Sequence, residues 1–320
     1  MSENRLDAID AFRGLAILGM VIANFIAGVN WIPAWLKHAP DAGFTVIDLV
    51  APMFIFAIGL TYGPSARKRL ERDGAWKMTQ HFVVRFAAIL GIGALFGAGE
   101  VLLQVDGQVI NWGVLQAIGV AGLVTLIVIR LPAWARLLIG LALLTGYQFL
   151  LERFWLAKVL ASPHGGLYGA LAWSAMLILA TVLGDLFHQQ RRAHWNLALA
   201  SALAVLVAFG LTLCFPVSKN RVSAPYVLLS LGLSGLLFSA FHIFVEHFKW
   251  KANLLVMWGR NPLVLYVLHL LLLGFVALPE VPGWYRSAPL WLVIVQGIVL
   301  LGVLTLIAWG LDRKQKYLSV

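Results

Sequence analysis

The sequence predicts an all-α, polytopic integral membrane protein of about ten transmembrane helices, and three observations carry that expectation. Of its 320 residues, 61% are hydrophobic and 12% charged, and the mean hydropathy is +0.87. A soluble domain uses roughly 45–50% apolar and 25% charged residues. Apolar runs of about 20 residues, long enough to cross a ~30 Å hydrocarbon core as helices, recur along the whole chain. Basic residues gather between alternate runs, a bias that orients helices in a bilayer.

In chain order the runs fall at 11–30, 44–63, 81–104, 111–130, 134–151, 168–187, 196–215, 226–248, 253–277 and 290–311. The first follows "MSENRLDAIDAFR" with no small-residue cleavage site after it, so a retained helix is expected rather than a signal peptide. The second is headed by "WLKHAPDAGFTVIDLVAPMF", which sets a lysine, a histidine and two aspartates against an apolar run. The third carries Gly93 and Gly97, a spacing that lets helices approach closely in lipid. Glycine-rich faces of this kind leave open whether the packing is within one chain or between two copies in a homodimer. The eighth run ends on His242, Glu246 and His247, two of which a metal could use one turn apart; no third element supports it, and no metal is expected. The ninth is interrupted by Arg260-Asn261-Pro262, where proline frees a carbonyl and the arginine needs an acceptor. Cys214 is the single cysteine, which excludes a disulfide within the chain. No stretch between runs is large enough for a soluble unit, so residues 1–320 are expected to form one domain.

With a cytoplasmic N-terminus, sixteen of the 24 Lys and Arg residues fall on one side of the membrane. Lys37, Arg153, Lys158, Lys219, Arg221 and Arg286 fall on the other, and Arg85 and Arg260 lie inside helices. The asymmetry predicts both termini in the cytoplasm. The net charge of +10 is then a topology signal, with the lipid bilayer as partner and no nucleic acid.

On this orientation the outward segments collect His38 and Asp48, Asn111 and Gln116, His164, Lys219 and Arg221, and, on the ninth run, Tyr266 and His269. Polar groups at the edge of a membrane are costly and usually face a cavity, so a polar pocket opening outward is expected. A loop histidine is by default a solvated side chain, and Lys219 and Arg221 are either ordinary loop charges or donors to a phosphate or carboxylate. Asp48, placed about one turn into the second helix, must find a partner at the helix N-terminus or on His38, Lys37 or Lys219. From composition alone, a small-solute transporter or channel with a polar vestibule is the competing reading.

Five segments, in order, resemble the signature segments of the heparan-α-glucosaminide N-acetyltransferase family of transmembrane acyltransferases, in a bacterial-type member. They are "RLDAIDAFRGLAILGMVIANF", "LKHAPDAGFTVIDLVAPMFIFAIG", "INWGVLQAIG", "FPVSKNRVSAPYVLLSLGLS" and "WGRNPLVLYVLH". The K-H-A pattern followed by T-V-x-D-L-V-x-P-x-F is the specific part. The resemblance implies transfer of an acetyl group from acetyl-CoA to the amine of a glucosamine-type sugar or a related envelope glycan. It puts the central histidine at His38 and its supporting asparagine at Asn24. Ala117 stands where the family usually has arginine, and "SPHGGLYG" replaces a more acidic segment.

Thioester aminolysis needs a neutral amine, a proton acceptor and a stabilised oxyanion. Histidine suits the proton step, with Asp48 orienting the imidazole. Asn24, Asn111 or Gln116 would donate to the oxyanion, and His269 is a reserve acid or base. Lys219, Arg221, Arg260 and Asn261 would hold the CoA phosphates. Direct transfer and an acetyl-histidine intermediate both satisfy these demands.

Overall fold

The computed structural model describes residues 3–102, 112–188, 193–248, 250, 252–279 and 281–317. Eleven α-helices are laid out in it: α1 Glu3–Ala27, α2 Val50–Leu102, α3 Val114–Val128, α4 Ala133–Leu150, α5 Leu156–Leu160, α6 Gly166–His188, α7 Ala193–Leu211, α8 Ala224–Phe248, α9 Asn253–Arg260, α10 Pro262–Ala277 and α11 Leu290–Arg313. Among the described residues, seven helices are long and apolar enough to cross a membrane, or eight if α9 and α10 count as one bent span.

The difference from ten has three sources. The second and third runs share α2, whose Gly74 sits at φ 81°, a backbone conformation open to glycine. Tyr62 stacks within 4.7 Å of Phe82 and 5.2 Å of Phe86, which a straight helix would hold about 30 Å apart at 1.5 Å per residue. The helix therefore folds back at Gly74 into a hairpin with two apolar arms. The fourth run becomes α3, with 15 helical residues. The ninth is bent by 87° between α9 and α10. Pro262 opens α10, where its missing N–H costs nothing, and Asn261 ahead of it leaves the helical region at φ −126° and ψ 51°.

By contacts the chain divides into two units. The first comprises Met1–Ala39, Thr45–Phe54 and Ala240–Ser319. Its α1 and α9 cross with backbones nearly touching: a Cβ on Gly14 would lie 1.9 Å from the carbonyl oxygen of Leu255, and one on Gly259 would lie 1.7 Å from that of Asp10. Only glycine permits that approach. Phe12, fully buried, packs on Phe241 beside the crossing. Tyr285 donates its hydroxyl to the Phe25 carbonyl at 2.6 Å.

The second unit comprises Pro40–Phe44 and Ile55–Ser239. Here α6 is the central helix, with 78% of its apolar window buried, whereas α7 buries 17% of its own. A helix apolar on every side and buried throughout belongs at a bundle centre, and one that exposes Leu199, Leu203 and Leu206 is built to face lipid. Tyr62 ties the α2 hairpin to α3 through a 3.0 Å bond to the Gly122 carbonyl.

Candidate functional site

In the first unit, the segment between α1 and α2 brings His38 and Asp48 together. The Nδ1 of His38 lies 2.8 Å from Oδ1 of Asp48. Asp48 stands in a short 3-10 turn, Val46–Leu49, just ahead of α2 rather than one turn inside it. Its Oδ2 accepts the Thr45 N–H at 3.0 Å, the Thr45 hydroxyl at 3.1 Å and the Ala39 N–H at 3.2 Å. The Thr45 N–H bond is the reciprocal half of a capping box. The Lys37 carbonyl, 2.8 Å from the same Thr45 hydroxyl, competes with Asp48 for its one proton, and Lys37 Nζ donates to the Val29 carbonyl at 2.6 Å. The carboxylate is thus fully enclosed, with 0% of its side chain exposed, while the imidazole keeps 39% exposure. A buried carboxylate surrounded by donors is fixed in place, and it holds the ring by one nitrogen.

Asn24 is placed against a different histidine from the one expected. Its amide nitrogen lies 2.9 Å from Nε2 of His269. With Asn24 donating, Nε2 is the acceptor and the ring proton resides on Nδ1. His269 is fully buried and edge-on to the Tyr266 ring at 4.8 Å. Its Nδ1 faces the carbonyls of Leu265 and Tyr266 on its own helix without a hydrogen bond of ordinary geometry.

The expected oxyanion and phosphate donors are engaged elsewhere. Gln116 caps α3, accepting the Gly113 N–H at 2.9 Å and donating to the Gly93 carbonyl at 2.8 Å. Asn111 lies outside the described residues, as do the side chains of Glu246 and His247. Arg221 forms a two-pronged pair with Asp41, Nε reaching both carboxylate oxygens at 2.9 and 3.1 Å and the terminal nitrogen bonding Oδ2. That guanidinium holds the Asp41 carboxyl below the usual carboxylate range, with help from the Ser218 hydroxyl. Lys219 is buried in the same loop. Arg260 pairs with Asp312 at 2.8 Å and approaches Asp7 at 3.6 Å, and the neighbouring Asn261 is fully buried at the helix break. Two of the three cations expected to grip phosphates are thus each paired with a carboxylate. Among the described residues, no group of three or more His, Cys, Asp or Glu side chains could hold a metal.

Thr45 and Asp41 escaped the sequence reading. The T-x-x-D spacing of Thr45 and Asp48 is a capping signature that could have found the first. Asp41 follows a proline in a turn, where a carboxylate reads as solvated, and only the fold supplies Arg221.

Comparison with known families decides where this arrangement belongs. Residues 5–215 match the family model described as heparan-alpha-glucosaminide N-acetyltransferase, catalytic. The chain belongs to that family. The match takes in Asn24, His38 and Asp48 and stops short of His269. Among curated relatives, the heparan-alpha-glucosaminide N-acetyltransferase of Mus musculus is 37% identical over 95 residues, 29% of this chain and 14% of the relative. That of Homo sapiens is 41% identical over 68 residues, 21% of this chain and 10% of the relative. The aligned stretches thus span a small part of each curated relative's length.

Proposed function

We propose that the protein is a transmembrane N-acetyltransferase that moves an acetyl group from acetyl-CoA to the amine of a glucosamine-type sugar or a related envelope glycan. The observation that carries this reading is the His38–Asp48 pair: a half-exposed imidazole held by one nitrogen on a buried, fully hydrogen-bonded carboxylate. Such a pair is built to exchange one proton with a substrate while staying in place. Nδ1 faces the carboxylate, so the exchange runs through Nε2. The amine nitrogen attacks the thioester carbonyl carbon and gives its proton to Nε2. The carbon–sulfur bond then breaks, and the sulfur leaves as the thiol with the proton returned by the imidazolium. Asp48 stays ionised throughout and stabilises the charged ring.

His269 and Asn24 form a second, buried imidazole–amide pair in the same unit and serve as a reserve proton site. The basic bias of alternate loops supports both termini in the cytoplasm, and the bacterial-type resemblance implies a bacterial inner membrane. His38 then opens to the outer face.

The test is release of free CoA from acetyl-CoA by the purified chain, with and without amino sugars, beside His38→Ala. Release stimulated by glucosamine and lost in the variant supports the assignment. Equal release by both proteins would remove His38 from the chemistry, and absence of any release would remove the reaction.

A further inference from the structure

In the second unit, a pocket of about 440 Å³ opens where the end of the first α2 arm, the α3–α4 turn and the end of α6 converge. Its polar lining is Arg67, Arg130, Arg136 and Asp185, with Met78 and Leu131 among the apolar walls. Three guanidiniums share a single carboxylate, an excess of two positive charges in a cavity of the size that suits a small ligand.

The arrangement is built rather than incidental. Arg136 is 2% exposed, an unusual depth for a permanently charged group. It is fixed by the Thr181 hydroxyl at 2.6 Å, by the Leu131 carbonyl at 3.1 Å and by Oδ2 of Asp185. Arg67 reaches the other oxygen of Asp185 at 3.1 Å and keeps 54% of its side chain exposed. Arg130 is exposed at the rim, with no ion-pair partner among the described residues. Asp185 therefore orients two forks toward one cavity without neutralising the set. Planar guanidiniums arranged this way match the oxygens of a phosphate. The α4 helix starts in the pocket wall at Ala133, its N-cap Pro132 offering no side-chain acceptor, so its dipole adds to the positive field.

We infer that the Arg67–Arg130–Arg136 pocket is a binding site for a phosphate-bearing anion. Two sources carry that chemistry: the phosphates of CoA and the headgroup of an anionic phospholipid. The CoA source rests on the acetyltransferase reading. The lipid source needs no such reading.

The experiment measures binding of inorganic pyrophosphate to the purified full chain by calorimetry, comparing it with Arg67→Gln, Arg130→Gln and the double variant. Both side chains are exposed, so these substitutions leave the buried Arg136–Asp185 pair to hold the fold. Binding that weakens by about tenfold or more in the double variant supports the site, because each charge-assisted pair lost removes a contact of that order. Absent binding, or binding indifferent to all three variants, overturns it. Competition then identifies the source: displacement by CoA assigns the donor, and displacement by phosphatidylglycerol in nanodiscs but not by CoA assigns a lipid. A chain that binds pyrophosphate here and releases no CoA would sink the acetyltransferase reading and keep this site. One that releases CoA through His38 and binds no pyrophosphate would do the reverse.

Discussion

The His38–Asp48 pair and the Arg136–Asp185 pair are opposite solutions to placing charge beside lipid. In the first the carboxylate is enclosed, at 0% exposure, and its titratable partner stands half open at 39%. In the second the enclosed member is a guanidinium at 2% exposure, and the carboxylate lies nearer the surface at 18%. An imidazole outside a fixed carboxylate can take up and return a proton. A guanidinium never deprotonates at usable pH, so the second arrangement can only hold charge. Similar ingredients are thus divided by burial into a pair suited to chemistry and a pair suited to binding.

The most direct way to break this comparison is His38→Ala, which should lower acetyl transfer by about 10²–10⁴-fold, the contribution of a positioned general base. Arg136→Met in the other pair should instead show as stability. Removing one partner of a buried ion pair costs about 3–5 kcal/mol, and Arg67 remains to moderate the loss at Asp185. A thermal melt in detergent should fall well below that of the native chain. An unchanged melt would mean that the buried guanidinium is not held as described. Asp48→Asn sharpens the contrast. It keeps the volume but turns an amide NH2 toward at least one of the donors now facing the carboxylate, from Ala39, Thr45 and His38. A stranded donor costs about 1–3 kcal/mol. CoA release should fall further than that loss of stability explains, because the ring also loses its orientation. Activity tracking stability alone would reduce Asp48 to a structural cap.

Much of this was legible in the sequence. Among the described residues, each of the ten apolar runs falls mainly on helix, because burial in lipid demands long apolar stretches whatever their partners. The division of α2 into two arms was legible as two runs, 44–63 and 81–104, with a basic stretch between them; that the helix continues through that stretch up to a turn at Gly74 was not. The Gly14–Gly259 crossing joins residues 245 positions apart, a distance over which a local pattern carries no information. His38 with Asp48 could be anticipated, as a buried carboxylate near a histidine has few other partners. Asn24 could not be assigned between two histidines without the fold, and it went to His269. The acceptors of Arg221 and Arg260 could not be named from the sequence, because their carboxylates, Asp41 and Asp312, sit 180 and 52 residues away.

Arg221–Asp41 supplies the control for the comparison, since neither partner is deeply enclosed: the side chains are 19% and 39% exposed. Here the guanidinium lowers the Asp41 carboxyl below its ordinary value, through hydrogen bonding first, with Ser218 adding to it. A carboxyl whose folded value lies below its unfolded value contributes stability that is fully present above the unfolded value, near pH 4. That contribution is lost as the pH falls through the lower, folded value. Comparing melts of the native chain and Arg221→Gln across an acid series should therefore show a gap at pH 6 that persists at pH 4 and closes only below it. Solvent screening at a pair this exposed keeps the gap within about 1 kcal/mol. No gap at pH 6 would mean that the pair is not formed. A gap of several kcal/mol would place this pair with the enclosed ones, and burial would no longer separate the three.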